Sequence, residues 1–226
     1  MQPVPHDLEP LLAGEHLPQR GFSYPAVRWQ AWAGHLEGNG PMLGALPPKL
    51  DRRTTARLVE GLLPGDVVGA FTVAMIWGHG SSGYGPYRTA RVLTAEPSPK
   101  GAPVSPDVRS RLRESVEVAR EDGAVGGYRF LNNRPGKVAG LGPAFFTKWL
   151  YFATARGDAG SVSAAPVLDA LVISWLASHG GLSLRAGYTD HYARYVETLR
   201  SWGAPHGLAP ADVEERIFRL IRNGGE

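Results

Sequence analysis

The sequence contains no cysteine. That absence removes a disulfide framework, a thiolate zinc site, an iron–sulfur cluster and a cysteine nucleophile together. It also suits a cytoplasmic chain, which is the location we expect. Long apolar runs are missing as well. The best candidate, Val67 to Trp77, falls short of the roughly 20 residues a membrane span needs and reads as a buried helix. The N-terminus, MQPVPHDLEPLLAGEH, lacks a basic start followed by an apolar block, so no signal peptide is expected. Lysine is scarce. The 24 basic residues divide into 20 Arg and the four lysines Lys49, Lys100, Lys137 and Lys148, so each lysine asks for a reason. A net charge of +3 is too small to argue for a polyanionic partner by itself.

What is present is globular. With 226 residues, 43% of them apolar and 20% charged, the chain has room for one substantial domain or two small lobes sharing a core. Residues 1 to about 50 are rich in Pro and Gly and read as an irregular lead-in with one short helix, Ala26 to Leu36. From residue 51 to 226 the pattern is helical. Asp51 caps a polar amphipathic helix to Leu63, and Asp66 to Trp77 is apolar on every face and therefore core. Helices follow at Tyr87–Leu93, Asp107–Asp122, Val125–Asn133, Pro143–Arg156, Pro166–Ser178, Asp190–Trp202 (with Asp190 as N-cap) and Pro210–Arg222. β-branched residues never alternate over a strand length, so the expected fold class is all-α.

Charge is informative where it is nearly absent. Between Lys137 and Arg156 the only charged side chain is Lys148, and between Asp158 and Arg185 the only one is Asp169. The two most apolar C-terminal segments thus carry one ionisable group each, of opposite sign. Such groups are seldom buried unless paired or functional, and burial shifts a lysine toward its neutral, nucleophilic form. Pro166 fits a first helical turn, which puts Asp169 near a helix N-terminus, where the macrodipole favours a carboxylate. A structural ion pair, a lysine reaching to the surface and an ordinary first-turn acid remain as alternatives.

Ahead of Lys148 stands Val138-Ala139-Gly140-Leu141-Gly142-Pro143-Ala144. An apolar residue between two glycines, directly before a helix, lets the backbone approach another chain and turn its N–H groups toward an anion. Gly140, Leu141 and Gly142 therefore suit a phosphate-gripping hairpin that does not read bases, with Lys137 and Arg134 adding charge; a plain αα-corner is the alternative. WGHGSSGYGP, Trp77 to Pro86, packs four glycines and a proline into ten residues and must be a loop. His79 in it has no His, Asp or Glu at ligand spacing, so no metal site is expected.

Gly-Leu-Gly before an aromatic-rich helix, then an Asp heading the next apolar helix, resembles the helix-hairpin-helix DNA glycosylases. Three segments, Trp77–Leu93, Tyr128–Ala153 and Ala165–Val172, further resemble bacterial proteins described as 8-oxoguanine glycosylase-like. That group is similar to an antiphage glycosylase that removes α-glucosylated hydroxymethylcytosine from phage DNA. The likeness covers roughly residues 50 to 220.

The resemblance implies two helical lobes flanking a DNA-binding cleft, into which a modified nucleotide is flipped for excision. It places the catalytic Asp on Asp169 and the hairpin on Gly140, Leu141 and Gly142. It makes Ser81, Ser82 and Tyr84 candidates to wedge the duplex and Arg88 a candidate to hold a phosphate or the opposite strand. Trp77 and Trp149 are candidates to wall the base pocket, with ordinary core packing as the alternative. Bifunctional members place a nucleophilic Lys at the position of Ala144; here Lys148 stands four residues later, about 6 Å further along the helix on the same face. Lys148 is the candidate second catalytic residue, whether as Schiff-base nucleophile, nucleotide contact or partner to Asp169. The expected partner is double-stranded DNA carrying a modified base, with no cofactor, acted on by a monomer. Glucosylated phage cytosine and 8-oxoguanine compete as substrates, and a non-catalytic DNA-binding module is the remaining class.

Overall fold

Several helix starts have a local chemical cause. The Asp51 carboxylate accepts from the Thr54 amide at 2.6 Å and starts the helix at Arg52, as its sequence position predicts. Asp66 does the same for Gly69 at the head of the helix that begins at Val67. In a computed structural model, which describes residues 2–223, the order is α1 (Glu9–Ala13), β1 (Phe22–Ser23), α2 (Ala26–Ala33), α3 (Asn39–Ala45) and β2 (Lys49–Leu50). Then come α4 (Arg52–Leu62), α5 (Val67–His79), α6 (Gly85–Thr94), α7 (Pro106–Glu121) and α8 (Gly123–Asn132). The chain continues with α9 (Pro143–Ala155), α10 (Ala170–Ser178), α11 (Thr189–Gly203) and α12 (Pro210–Asn223). Helix takes 60% of the residues and strand 2%, so the fold is all-α.

The first fifty residues hold three short helices, where one was expected. Phe22 and Ser23 also pair antiparallel with Leu50 and Lys49. Leu8, Leu12, Trp29, Ala33, Leu36 and Leu43 are all buried in the same core as the rest of the chain. The lead-in is thus packed against the helices that follow it.

At the centre, α5 is buried from Val67 to Trp77 and lies against α4, α6 and α9. A helix apolar on every face has no solvent side. Phe71 meets Trp149 of α9 edge-on, with ring centroids 5.5 Å apart. Trp149 is fully buried, and its indole N–H donates to Ser115 Oγ of α7 at 2.8 Å.

The helices α6 and α8 begin two residues earlier than expected, at Gly85 and Gly123, and two further starts differ in their caps. The Pro166 helix begins only at Ala170: residues 164–168 are buried and free of helix, and Asp169 is the extended N-cap, not a first-turn residue. At α11 the N-cap position is Tyr188, without a side-chain cap, and Asp190 sits in the first turn.

The hairpin joins α8 to α9. Gly140 has φ +78°, a left-handed conformation that other residues adopt only with strain. Val138 and Leu141 are buried and pin the turn, Gly142 caps α9 in extended conformation, and Pro143 occupies its first turn. Lys137 and Gly140 remain exposed.

Candidate active site

The two solitary charges meet. Lys148 leaves α9 and Asp169 caps α10, with Lys148 Nζ 3.7 Å from Asp169 Oδ2. The other carboxylate oxygen, Oδ1, accepts from the amides of Leu171 and Val172 at 3.1 Å each. One oxygen is therefore anchored to the backbone while its twin faces the ammonium. Both side chains border solvent, with 14% and 15% of their surface exposed.

Lys148 is confined by its neighbours. Its Nζ donates to the Gly78 carbonyl at 3.3 Å and stands 5.0 Å over the Phe145 ring. Any Cβ at position 78 would lie 3.1 Å from Lys148 Cδ, so glycine there leaves the lysine its channel. Burial pulls the ammonium below the usual lysine range, while Asp169 and then Glu214 pull it back up. The two influences oppose each other at the one lysine in an apolar helix.

Phe145, which sequence reasoning did not single out, organises a second group of side chains. The His79 ring stacks on it at 4.2 Å, and the Arg88 guanidinium lies 5.0 Å over the same ring. Burial, followed by repulsion from Arg88 and Lys148, lowers His79 to about 4, so the imidazole is neutral at pH 7. The available signal was spacing: Phe145 precedes Lys148 by three residues and so shares its helix face.

The remaining candidates are placed unevenly. Arg88 joins the Lys148 group through Phe145. Ser81, Ser82 and Tyr84 are exposed on the loop between α5 and α6, which leaves α5 directly after His79. Gly80, with φ +57°, makes the sharp exit. Lys137 and Gly140 lie on the hairpin, one helix-start away from Lys148. The Leu141 side chain is buried, so only its backbone can serve a ligand.

The two tryptophans depart from a base-pocket role. Trp149 follows Lys148 by one residue, about 100° around the helix, and points into the core with its N–H already bonded. Trp77 is 9% exposed, its N–H donates to Gln19 Oε1 at 2.8 Å, and its ring is occupied by Arg52 at 5.2 Å and by Tyr151 stacked at 6.4 Å. Neither ring is free to stack on a base as the chain stands.

Two hollows, of about 490 and 430 Å³, lie elsewhere: one against the α6–α7 connection, the other among Gln19, Arg52 and Glu215. Neither is lined by Lys148 or Asp169. Among the described residues no cluster of three or more His, Asp or Glu side chains is placed to hold a metal, and no helix is long and apolar enough to cross a membrane.

Residues 15–218 match the family described as "Putative 8-oxoguanine DNA glycosylase OGG-like protein". The chain belongs to this family. No curated protein and no solved structure matches it. Membership in the OGG-like glycosylase family implies glycosylase activity and a DNA substrate. The match spans both halves of the site, from the loop after α5 to the α9–α10 pair.

Proposed function

We propose that this OGG-like glycosylase extrudes a modified nucleotide from double-stranded DNA and hydrolyses its base–sugar bond at the Lys148–Asp169 pair, leaving an abasic site. The observation that carries this reading is the divided carboxylate of Asp169, tethered by two amides on one oxygen and open on the other. A fixed carboxylate in a mostly apolar wall suits the stabilisation of a sugar that becomes positively charged.

The chain's own residues supply the steps. The hairpin backbone at Gly140–Gly142, with Lys137, holds a phosphate, and the Ser81–Tyr84 loop enters the duplex where the nucleotide leaves. As the C1′–N bond breaks, its electron pair departs with the base and Asp169 Oδ2 faces the oxocarbenium-like sugar. A water directed by the carboxylate adds to C1′, and its proton passes to solvent through Asp169. The Lys148 amine is held by the Gly78 carbonyl and faces Asp169, and an amine engaged in this way supports the hydrolytic route over its own attack on the sugar. Acting as a monomer on DNA in the cytoplasm is part of the same proposal.

For the substrate we propose α-glucosylated hydroxymethylcytosine. The pair borders solvent, so a bulky sugar on the base can stay in water while C1′ faces the carboxylate. The family description favours a second reading, 8-oxoguanine. Incubation with T4-type glucosylated DNA, an 8-oxoguanine duplex and plain duplex, followed by alkali, separates the readings. Breaks in glucosylated DNA alone are expected. Breaks only at 8-oxoguanine would assign repair, and binding without breaks in any DNA would leave a non-catalytic module. Borohydride trapping is expected to yield no Lys148-dependent adduct.

A further inference from the structure

The segment before Asp169 raises a problem of backbone satisfaction. Residues 164–168 are buried and form no helix, yet buried amides and carbonyls need partners. Four side-chain hydroxyls provide them. Thr154 Oγ1 accepts from the Ala165 amide at 2.8 Å, and Thr147 Oγ1 accepts from the Leu168 amide at 3.1 Å. Tyr192 donates to the Pro166 carbonyl at 2.8 Å and Tyr195 to the Val167 carbonyl at 2.7 Å. Thr147, Thr154, Tyr192 and Tyr195 are all buried.

The geometry is a matched ladder. Thr147 and Thr154 are seven residues apart on α9, about 10.5 Å along its axis, and Leu168 and Ala165 are three nearly extended residues apart, about 10 Å. The segment runs antiparallel to the helix. Each threonine donates back to the carbonyl four residues earlier, Pro143 at 2.8 Å and Leu150 at 2.6 Å, which turns its lone pairs outward to accept. The last rung, Thr147 to Leu168, stands one peptide before both charged residues, since Lys148 follows Thr147 and Asp169 follows Leu168. The hydroxyls therefore reach the reaction only through the positions of these two neighbours.

We propose that Thr147, backed by Tyr195 and Tyr192, is the positioning residue that sets the carboxylate of Asp169 opposite Lys148. Removing the rung frees Leu168 and the N-cap that follows it, while α9 and its lysine stay in place. The inference rests on the glycosylase reading for its kinetic arm alone.

Four lysines make the Lys148 amine readable by NMR in the whole free protein. The charged groups acting on it are Asp169 from α10, Glu214 from α12 and Arg52 from α4, with neutral His79 from α5 alongside. In Thr147→Val the attraction of Asp169 weakens while burial persists, so Lys148 is expected to titrate lower than in wild type. Single-turnover excision is expected to fall by about tenfold to a hundredfold, the usual scale for misplacement near 1 Å, with DNA affinity unchanged. Thr147→Ser is expected to restore both, and Tyr195→Phe to move both in the same direction by less. Ser115→Ala, which removes the buried α7 hydroxyl that accepts from Trp149 of α9, is expected to lower only the melting temperature.

Wild-type titration of Lys148 in folded Thr147→Val or Tyr195→Phe would overturn the assignment, as would an equal shift in Ser115→Ala. A shift confined to the ladder variants, in a protein whose wild type excises no base, would uphold the positioning and end the glycosylase reading. Excision by wild type with an unmoved lysine in the variants would do the reverse.

Discussion

Two ion pairs, one against the rings of Trp77 and Tyr151 and one beside Phe145, are built in opposite ways. Arg52 and Glu214 are 4% and 1% exposed and meet at 2.8 Å, bracing α4 to α12, with the guanidinium 5.2 and 4.9 Å over the rings of Trp77 and Tyr151. Lys148 and Asp169 border solvent and stand 3.7 Å apart, with one carboxylate oxygen spent on the backbone. In the first pair Arg52 also reaches Glu215 at 4.0 Å, but the Glu214 carboxylate is closed off from solvent. The second leaves a gap and an unspent oxygen. In the proposed reading, burial and closeness serve architecture, and looseness at an edge serves chemistry.

The contrast breaks most visibly if the closed pair is dispensable. Arg52→Met strands the Glu214 carboxylate and is expected to cost about 3–5 kcal/mol in urea unfolding, while the folded fraction excises the base at the wild-type single-turnover rate. Arg52→Met combined with Glu214→Leu is expected to recover most of that loss. A cost below about 1 kcal/mol for the single change, the scale of a surface pair, would dissolve the distinction.

Lys148→Met should show the inverse pattern. Melting temperature is expected to hold, because the Asp169 carboxylate left behind keeps both backbone amides and its edge to solvent, while single-turnover excision falls about a hundredfold. A large stability loss with activity retained would move Lys148 into the structural class.

Smaller effects of opposite sign are expected from pH. Burial, partly offset by Arg52, pushes Glu214 up from 4.5 to about 7, so its neutral form fits the fold better. Its contribution to stability is full below 4.5 and is lost as pH rises through about 7. His79 is lowered from 6.5 to about 4, so its contribution is full above 6.5 and is lost as pH falls through about 4. Urea titrations across pH 4 to 8 should show Glu214→Gln losing the first dependence and His79→Asn the second. If either variant keeps the wild-type slope in its window, that residue is not the titrating group.

The smallest expected effect lies on the hairpin. Lys137→Ala should leave stability unchanged and reduce the slope of log affinity against log salt by about one, as loss of a single phosphate contact does. An unchanged slope would move the DNA track away from the turn.

Much of this was legible because apolar context makes exceptions conspicuous. Lys148 and Asp169 stood out as single charges in long uncharged stretches, and Asp51, α5 and the Gly-Leu-Gly turn announced themselves through local chemistry. The N-terminal packing did not, since the glycines and prolines that punctuate it hide how Leu8, Leu12 and Trp29 reach a distant core. Arg52 and Glu214 were equally hidden: DRRTTARLVEGLL and ADVEERIF read as solvated faces, and only the approach of α12 to α4 buries them. The late start of α10 depends on hydroxyls from two other helices, α9 and α11, which no local pattern reports. Trp149 was misassigned to a pocket because one residue of helical rotation separates an edge lysine from a core indole.

The most direct measurement is the single-turnover excision rate of Asp169→Asn on the DNA that the wild type cuts. Asparagine caps a helix about as well as aspartate, so the variant should melt and bind DNA as the wild type does. Loss of the charge that faces the sugar is expected to slow excision about a hundredfold to a thousandfold. Excision at the wild-type rate by this folded, DNA-bound variant would contradict the assignment of catalysis to the open pair.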